Sequence, residues 1–552
     1  MEYKILLPSA VWQDYDVKKT PLEDTIISSS VKDGVKIKLF RMTALEAEGG
    51  KIISTVAVYN SDADFGRIIV IVPEYHKSPS ETLLFDLARA GFTVVVPDVA
   101  GNFDPPTTFP EIYRYGRFSE AGDHLKKVSP TARDTSQYLY SIIVKRAVFF
   151  VRERIGDLPL ALVGLSDGVE VAMQVAGSGT GGDVDALACL NGAGYREYVK
   201  LNKYGGGKEL EMDEERIAWL AGAASVAYAK YINVPVFIAI GTNGEKSDPD
   251  RLQNLASLIP GDKIHTSLSP RAADFILPDA YRTFKIWLSR ALSGEAFPDC
   301  PKISLRVNED DKIYAYADCD PASMIEKVTI YYSFGEYNHE IREWFSAGGI
   351  AVSFNEYIAT VEVTDDKAPL FAFAEVLYEN GAALSSLPEY MELSGQPVKV
   401  GTRKPSRIIH EASGGVSHFI ECSDGEALFE RGLSQVVTPA GARGIVSTLG
   451  RIKTYHVDSA FPGASDSMLL QFELYSEKSA AAIISVQEKS DAGIKKYSAT
   501  INISGTEGYF AAAKLKVSDF KDERLMPLQS WSGVRSLSID APGVIIGNIL
   551  FI

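Results

Sequence analysis

Leu158-Pro-Leu-Ala-Leu-Val-Gly-Leu-Ser-Asp-Gly168 decides the fold of this chain. An apolar run leads directly into Gly164-Leu165-Ser166-Asp167-Gly168, and a helix-like run follows from Val169 to Val175. This is a G-x-S-x-G nucleophile elbow in its strand–turn–helix setting. The turn at the serine is sharp and strained, so a Cβ at either flanking glycine would crowd the backbone. An exposed serine on an ordinary strand–turn–helix connection is the bland alternative.

Around the elbow, apolar strand-like runs and helix-like runs alternate from Arg67 to Leu292. The strands read Ile68–Val72, Phe92–Pro97, Leu158–Val163, Val184–Leu190, Val234–Ile240 and Lys263–Leu268. Glu81–Ala90, Thr135–Ile155, Val169–Ala176, Pro249–Leu258 and Asp279–Leu292 read as helices. Such alternation implies a mostly parallel sheet with helices on both faces. Gly34–Met42 and Lys51–Tyr59 alternate like leading strands. Two long connections, 99–133 and 192–232, are expected to form lids or pocket walls, or small packed subdomains. After Pro298 the helical pattern stops, and short strands separated by turn signals replace it. The expected domains are 1–298, then a β-sandwich over 299–395, a linker over 396–407, and a second β-sandwich over 408–552.

The 552 residues carry 46% apolar and 23% charged side chains, as in a soluble globular protein. A net charge of −16 argues against nucleic acid or an anionic membrane as partner. The N-terminus does not read as a signal peptide, and no uninterrupted apolar run is long enough to span a bilayer. A cytoplasmic location, with Cys189, Cys300, Cys319 and Cys422 reduced, is the expectation. No cysteine or histidine spacing suggests a metal, and no cofactor is expected.

The block Arg67–Leu292 resembles the α/β-hydrolase superfamily. It is similar to acetyl xylan esterase or cephalosporin-C deacetylase-like proteins and to PhoPQ-activated pathogenicity-related proteins. The resemblance is carried by Trp12-Gln-Asp-Tyr-Asp16, the Phe92–Asp98 strand, the Gly164–Gly168 elbow and Trp219 through Tyr228-Ala-Lys-Tyr-Ile-Asn-Val-Pro-Val-Phe-Ile-Ala-Ile-Gly-Thr-Asn243. It implies Ser166 as nucleophile and the Asp167 N–H as an oxyanion donor. It also implies a catalytic acid where Gly244 stands, in Gly241-Thr-Asn-Gly-Glu-Lys-Ser-Asp248, and a histidine where Asp274 stands, in Ser269-Pro-Arg-Ala-Ala-Asp274. Val169 stands where a further small glycine is common. Val328-Thr-Ile-Tyr-Tyr-Ser333 and Arg342-Glu-Trp344 resemble an immunoglobulin-like domain. Tyr509–Phe520 and Trp531–Phe551 resemble the end of a jelly-roll carbohydrate-binding module, where Tyr509, Phe510 and Trp531 would be sugar-stacking or core aromatics.

A serine needs a base, and the base needs an orienting group. His76, after the first parallel strand, is a candidate for lining the site or donating to an oxyanion, or a solvated loop residue. His124 lies in the first long insertion, from which a lid could deliver it to Ser166. His265 sits inside a strand and reads as a core or surface residue. Asp248 could replace the acid missing at Gly244. Asp274 is a poor base at neutral pH, because a carboxylate has an ordinary pKa near ~4. It is expected near Ser166, in the place a histidine would take. Two functions follow. One is a weakly active or non-catalytic binding module. The other is a serine esterase or deacetylase of sugar-linked acyl esters with a relocated histidine, acting on a small-molecule or carbohydrate ester.

Overall fold

The computed structural model describes every residue except 1–2, 48, 180–183, 205–208, 262, 403, 417, 424–431, 491–492 and 507. One nine-stranded sheet runs through the N-terminal half. Its strands are β1 (Thr25–Lys32), β2 (Val35–Ala47), β3 (Gly50–Asn60), β4 (Arg67–Val72), β5 (Phe92–Pro97), β6 (Leu160–Leu165), β7 (Ala186–Leu190), β8 (Val236–Gly241) and β9 (Ile264–Ser269). Their spatial order is β1-β2-β3-β5-β4-β6-β7-β8-β9. β1, β2, β3 and β5 pair antiparallel, and the sheet is parallel from β5 through β4 to β9. This is the α/β-hydrolase arrangement with one further antiparallel strand at its edge. Every residue of β1 is exposed, so no buried face marks that strand in the sequence.

The helices are α1 (Pro8–Trp12), α2 (Glu81–Arg89), α3 (Ser136–Arg154), α4 (Gly168–Ala176), α5 (Glu214–Gly222), α6 (Leu252–Leu258) and α7 (Pro278–Ser293). Alternation along β4 shows how the sheet is covered. Ile68, Val70 and Val72 join the core that contains Leu139 and Val144 of α3 and Val171 of α4. Ile69 and Ile71 join the opposite core, with Leu84 and Leu87 of α2 and Phe284 and Trp287 of α7. A period-two strand places its side chains on alternate faces, and here both faces are apolar, as a doubly covered sheet requires.

The second block holds a four-stranded and a five-stranded antiparallel sheet between Lys302 and Glu392. Its core is continuous with that of α2 and α7 through Ile330, Ala372 and Val376. The third block, from Ile408 to Phe551, holds a six-stranded and a five-stranded sheet around its own core. Trp531 is fully buried there among Phe461, Phe520 and Phe551, so it is a core residue and no sugar platform. Tyr509 is 72% exposed. Beyond the two-residue strand Ile350–Ala351, Val352 and Phe354 are exposed to solvent. Cys189, Cys300, Cys319 and Cys422 are not joined in disulfides. Among the described residues no helix is long and apolar enough to cross a membrane.

Candidate functional site

Ser166 sits at the carboxyl end of β6, in the left-handed backbone region at φ +51°. Its N–H donates to Leu190 O across the sheet (2.8 Å). The flanking glycines are sterically required. A Cβ on Gly164 would lie 2.5 Å from Val169 Cα, and one on Gly168 would lie 2.3 Å from Val72 O. The same close approach brings the loop after β4, Pro73–His76, against the elbow. The Ser166 side chain is buried, at 5% exposure.

The group on the Ser166 hydroxyl is Lys246. Its ammonium donates to Ser166 Oγ (3.0 Å) and to Glu74 Oε1 (3.0 Å). Lys246 comes from the loop after β8, two residues beyond Gly244. Glu74 comes from the loop after β4. Lys77 Nζ (3.3 Å) and His76 Nε2 (3.4 Å) approach the other oxygen of Glu74. Burial pushes the Glu74 carboxyl up, but the Ser166 hydroxyl and the Lys246 and Lys77 charges outweigh it and hold its pKa below the usual value. Burial pushes Lys246 down, and Glu74 outweighs that, leaving its pKa above the ordinary lysine value. Both shifts describe one charged pair, with Ser166 accepting a hydrogen bond from the Lys246 ammonium and its hydroxyl lying against the Glu74 carboxylate, whose depressed pKa makes it a weak base.

Gly244 and Asp274 lie against each other. Asp274 Oδ1 accepts from the Lys246 backbone N–H (3.0 Å), and a Cβ on Gly244 would lie 2.9 Å from the same oxygen. Glycine at 244 thus makes room for the carboxylate at 274. Burial is the main cause that pushes the Asp274 carboxyl up. Asp274 is expected beside Ser166; its hydrogen bond fixes the backbone from which Lys246 reaches the serine.

The other candidates are scattered. His124 stacks on Tyr115 (4.1 Å between centroids), and its Nδ1 bonds Asp134 O (2.8 Å), which fixes it inside the first insertion. Asp248 caps the turn Pro249–Arg251 by accepting from Asp250 N (2.9 Å), so it is a structural cap there. His265 accepts from Trp287 Nε1 (3.2 Å), and burial pushes its pKa down to about 4. Asp167 pairs with Arg196 (3.5 Å), whose guanidinium lies over Tyr75. His76 alone among the histidines borders the Ser166–Lys246–Glu74 cluster. Among the described residues no group of three or more His, Cys, Asp or Glu side chains is placed to hold a metal ion.

The second block reaches into this region through residues 336–344. His339 Nε2 bonds Gly244 O (2.8 Å), Asn243 Nδ2 donates to Arg342 O (2.9 Å), and Arg271 Nη2 donates to Trp344 O (2.8 Å). The loops after β8 and β9 are thus both held by the second block.

Behind the elbow, Glu170 of α4 is buried near Glu197 and Arg196. Burial first, then Glu197, pushes the Glu170 carboxyl up to about 7. A carboxyl with a raised folded pKa favours folding below its unfolded value. That advantage is lost as pH rises through the folded value. Glu170→Gln should therefore raise the melting temperature at pH 8 by about 3–6 °C and change it little at pH 5. Equal shifts at both pH values in a thermal scan would contradict this assignment.

No family model and no curated protein matches the sequence. Solved structures do match part of the chain. An acetyl xylan esterase from a Paenibacillus species is 13% identical, covers 51% of this chain and 91% of its own, and has a TM-score of 0.37. Acetyl xylan esterase 1 from a Thermoanaerobacterium species is 16% identical, with 52% and 95% covered and a TM-score of 0.37. A cold-adapted esterase from an Arctic intertidal metagenomic library is 12% identical, with 48% and 97% covered and a TM-score of 0.33. Each of these likenesses covers about half of this chain.

Proposed function

We propose that this chain is an α/β-hydrolase-fold protein whose nucleophile site is non-hydrolytic near neutral pH and acts as a binding module for a small-molecule or carbohydrate ester. The carrying observation is the Lys246 ammonium, 3.0 Å from Ser166 Oγ and 3.0 Å from Glu74 Oε1. A serine becomes a nucleophile by handing its proton to a nearby base. Here its oxygen faces an ammonium whose charge Glu74 stabilises. Losing the base of a triad costs on the order of 10⁶ in turnover. The net charge of −16 supports a neutral or cationic partner over nucleic acid or an anionic membrane.

Hydrolysis of p-nitrophenyl acetate at pH 7.5 is the test. Wild type should stay near background, and Ser166→Ala should change it by less than about twofold. The alternative is a serine esterase whose base is His76, favoured by the place of that imidazole on Glu74 (3.4 Å). It predicts a loss of more than about 100-fold in both Ser166→Ala and His76→Ala, and that outcome would overturn the first reading.

A further inference from the structure

A cavity of about 340 Å³ lies where the first and second blocks meet. Ile264 of β9 lines it from the first block, and Ile303, Leu387 and Glu389 line it from the second. The strand Glu389–Glu392 sets the direction of the Glu389 carboxyl. That strand pairs antiparallel with Pro369–Tyr378, and Glu389 stands opposite Ala372. Directly opposed residues share one face of a sheet. Ala372 is fully buried in the core that also holds Ile313 and Ala315 of the facing sheet. Met391, two positions on, packs against the same core, while Tyr390 turns the other way and stacks on Tyr204 (4.2 Å). Glu389 therefore points inward, between the two sheets of the second block. It does so at the first residue of its strand, where the cavity lies. It is half-buried, so its side chain keeps surface that a ligand can reach.

Inner faces of packed sheets take apolar side chains, so a carboxylate there needs a reason. The buried Asp250 has Arg342 as its counter-charge. Among the described residues no lysine or arginine pairs with Glu389, and burial alone shifts its carboxyl, upward. Lys302 also borders the cavity. Ile303 and Leu305 of its strand pack toward the core, so alternation turns Lys302 to the outer, exposed face. Asp299, exposed beside the cavity, adds a second negative charge. Hydroxyls at the wall are occupied: Thr266 Oγ1 donates to Ser385 O (2.5 Å), and Ser386 Oγ accepts from Ala374 N (2.9 Å). Such a wall suits one positive charge on an apolar body and repels an anion. A polyol would find few partners there. At roughly 30 Å³ per water, the space holds about eleven waters, which is room for one ring with a short arm.

We propose that this cavity binds a small organic amine, its ammonium on Glu389 and its ring or chain against Ile264, Ile303 and Leu387. Because the wall is drawn from two blocks, the site exists only when they are docked. The net charge of −16 favours the approach of a cation. The proposal does not depend on whether Ser166 hydrolyses anything.

Benzylamine is the probe, benzyl alcohol its neutral counterpart, and the full chain the receptor, followed by calorimetry and thermal melting at pH 7. Benzylamine, protonated at that pH, should bind and raise the melting temperature, and benzyl alcohol should not. Glu389→Gln should weaken benzylamine by about tenfold or more, the effect of one lost charged hydrogen bond. Its ligand-free melting temperature should be unchanged or higher, since it deletes a charge that burial disfavours. Glu392→Gln removes the same charge from the opposite face of the same strand, where Tyr390 Oη donates to Glu392 (2.7 Å). It should leave benzylamine binding unchanged. Absence of benzylamine binding at tens of millimolar, equal binding of benzyl alcohol, or an equal loss in both glutamine variants each overturns the proposal. Undiminished binding by Glu389→Gln also overturns it, and would place the amine on another carboxylate.

Discussion

Arg342→Ala should destabilise the chain by about 3–5 kcal/mol, the cost of leaving a buried charge unpaired. Arg342 is completely buried, and its guanidinium makes a two-pronged pair with Asp250 (2.7 and 2.6 Å). It also donates to Glu336 O (3.0 Å) and Tyr337 O (2.9 Å) and lies 3.5 Å from the centre of the Phe371 ring. Alanine removes the charge, the fork and the packing together. Asp250, 4% exposed, is left without its counter-charge in a place water does not reach. Replacing both partners by apolar residues, as in Arg342→Met with Asp250→Leu, should recover most of the loss. Urea unfolding followed at the first transition measures both. A loss below about 1 kcal/mol for Arg342→Ala would mean the pair behaves as a solvent-screened surface bridge and does not lock the second block onto the first.

Arg342 also shows where sequence reading stops. The elbow was legible because all its determinants are local: a strand, two glycines with a steric reason, and a helix, all between Leu160 and Ala176. The six parallel strands were legible for the same reason, each being a short apolar run between helical patterns. Strand β1 was not, since Thr25–Lys32 buries no face. Lys246 lay inside the quoted loop after β8 and passed unmarked, because triad spacing directs attention to carboxylates and histidines. Its signal was a lysine two residues past the vacated acid position. Glu74 stood beside the noted His76. Their meeting with Ser166 joins residues 80 and 172 positions apart, and no local pattern encodes that. The Arg342-Glu-Trp344 stretch was read as a mark of its own domain's fold. In three dimensions it fastens the acid and histidine loops of another domain, 92 positions away for Arg342 and Asp250.

Glu74→Gln should unmask the chemistry that the Ser166–Lys246 contact holds back. In the wild type the Lys246 pKa lies above the ordinary lysine value, and the carboxylate of Glu74 is what offsets burial. Removing that charge leaves burial as the dominant influence, and burial favours the neutral amine. A neutral amine 3.0 Å from Ser166 Oγ can accept the serine proton. In the wild type that form dominates only above the ordinary lysine range. In Glu74→Gln its onset should move down by at least about one pH unit, giving roughly tenfold faster labelling of Ser166 by a fluorophosphonate at pH 9. The stability of the pair follows the opposite logic. Glu74, with its folded pKa depressed, contributes above its unfolded value and loses that contribution as pH falls through the folded one. Lys246, with its folded pKa raised, contributes below its unfolded value and loses that as pH rises through the folded one. Glu74→Gln should therefore melt earlier than wild type between these limits and converge with it in acid, where the native carboxylate is protonated. Labelling must also vanish in the double variant Glu74→Gln with Lys246→Met, which keeps the serine and its elbow but offers no amine. If labelling survives there, or if its pH onset is the same with and without Glu74, then Lys246 is not the group that governs the serine proton, and a base other than this lysine must be sought on the rim, beginning with His76.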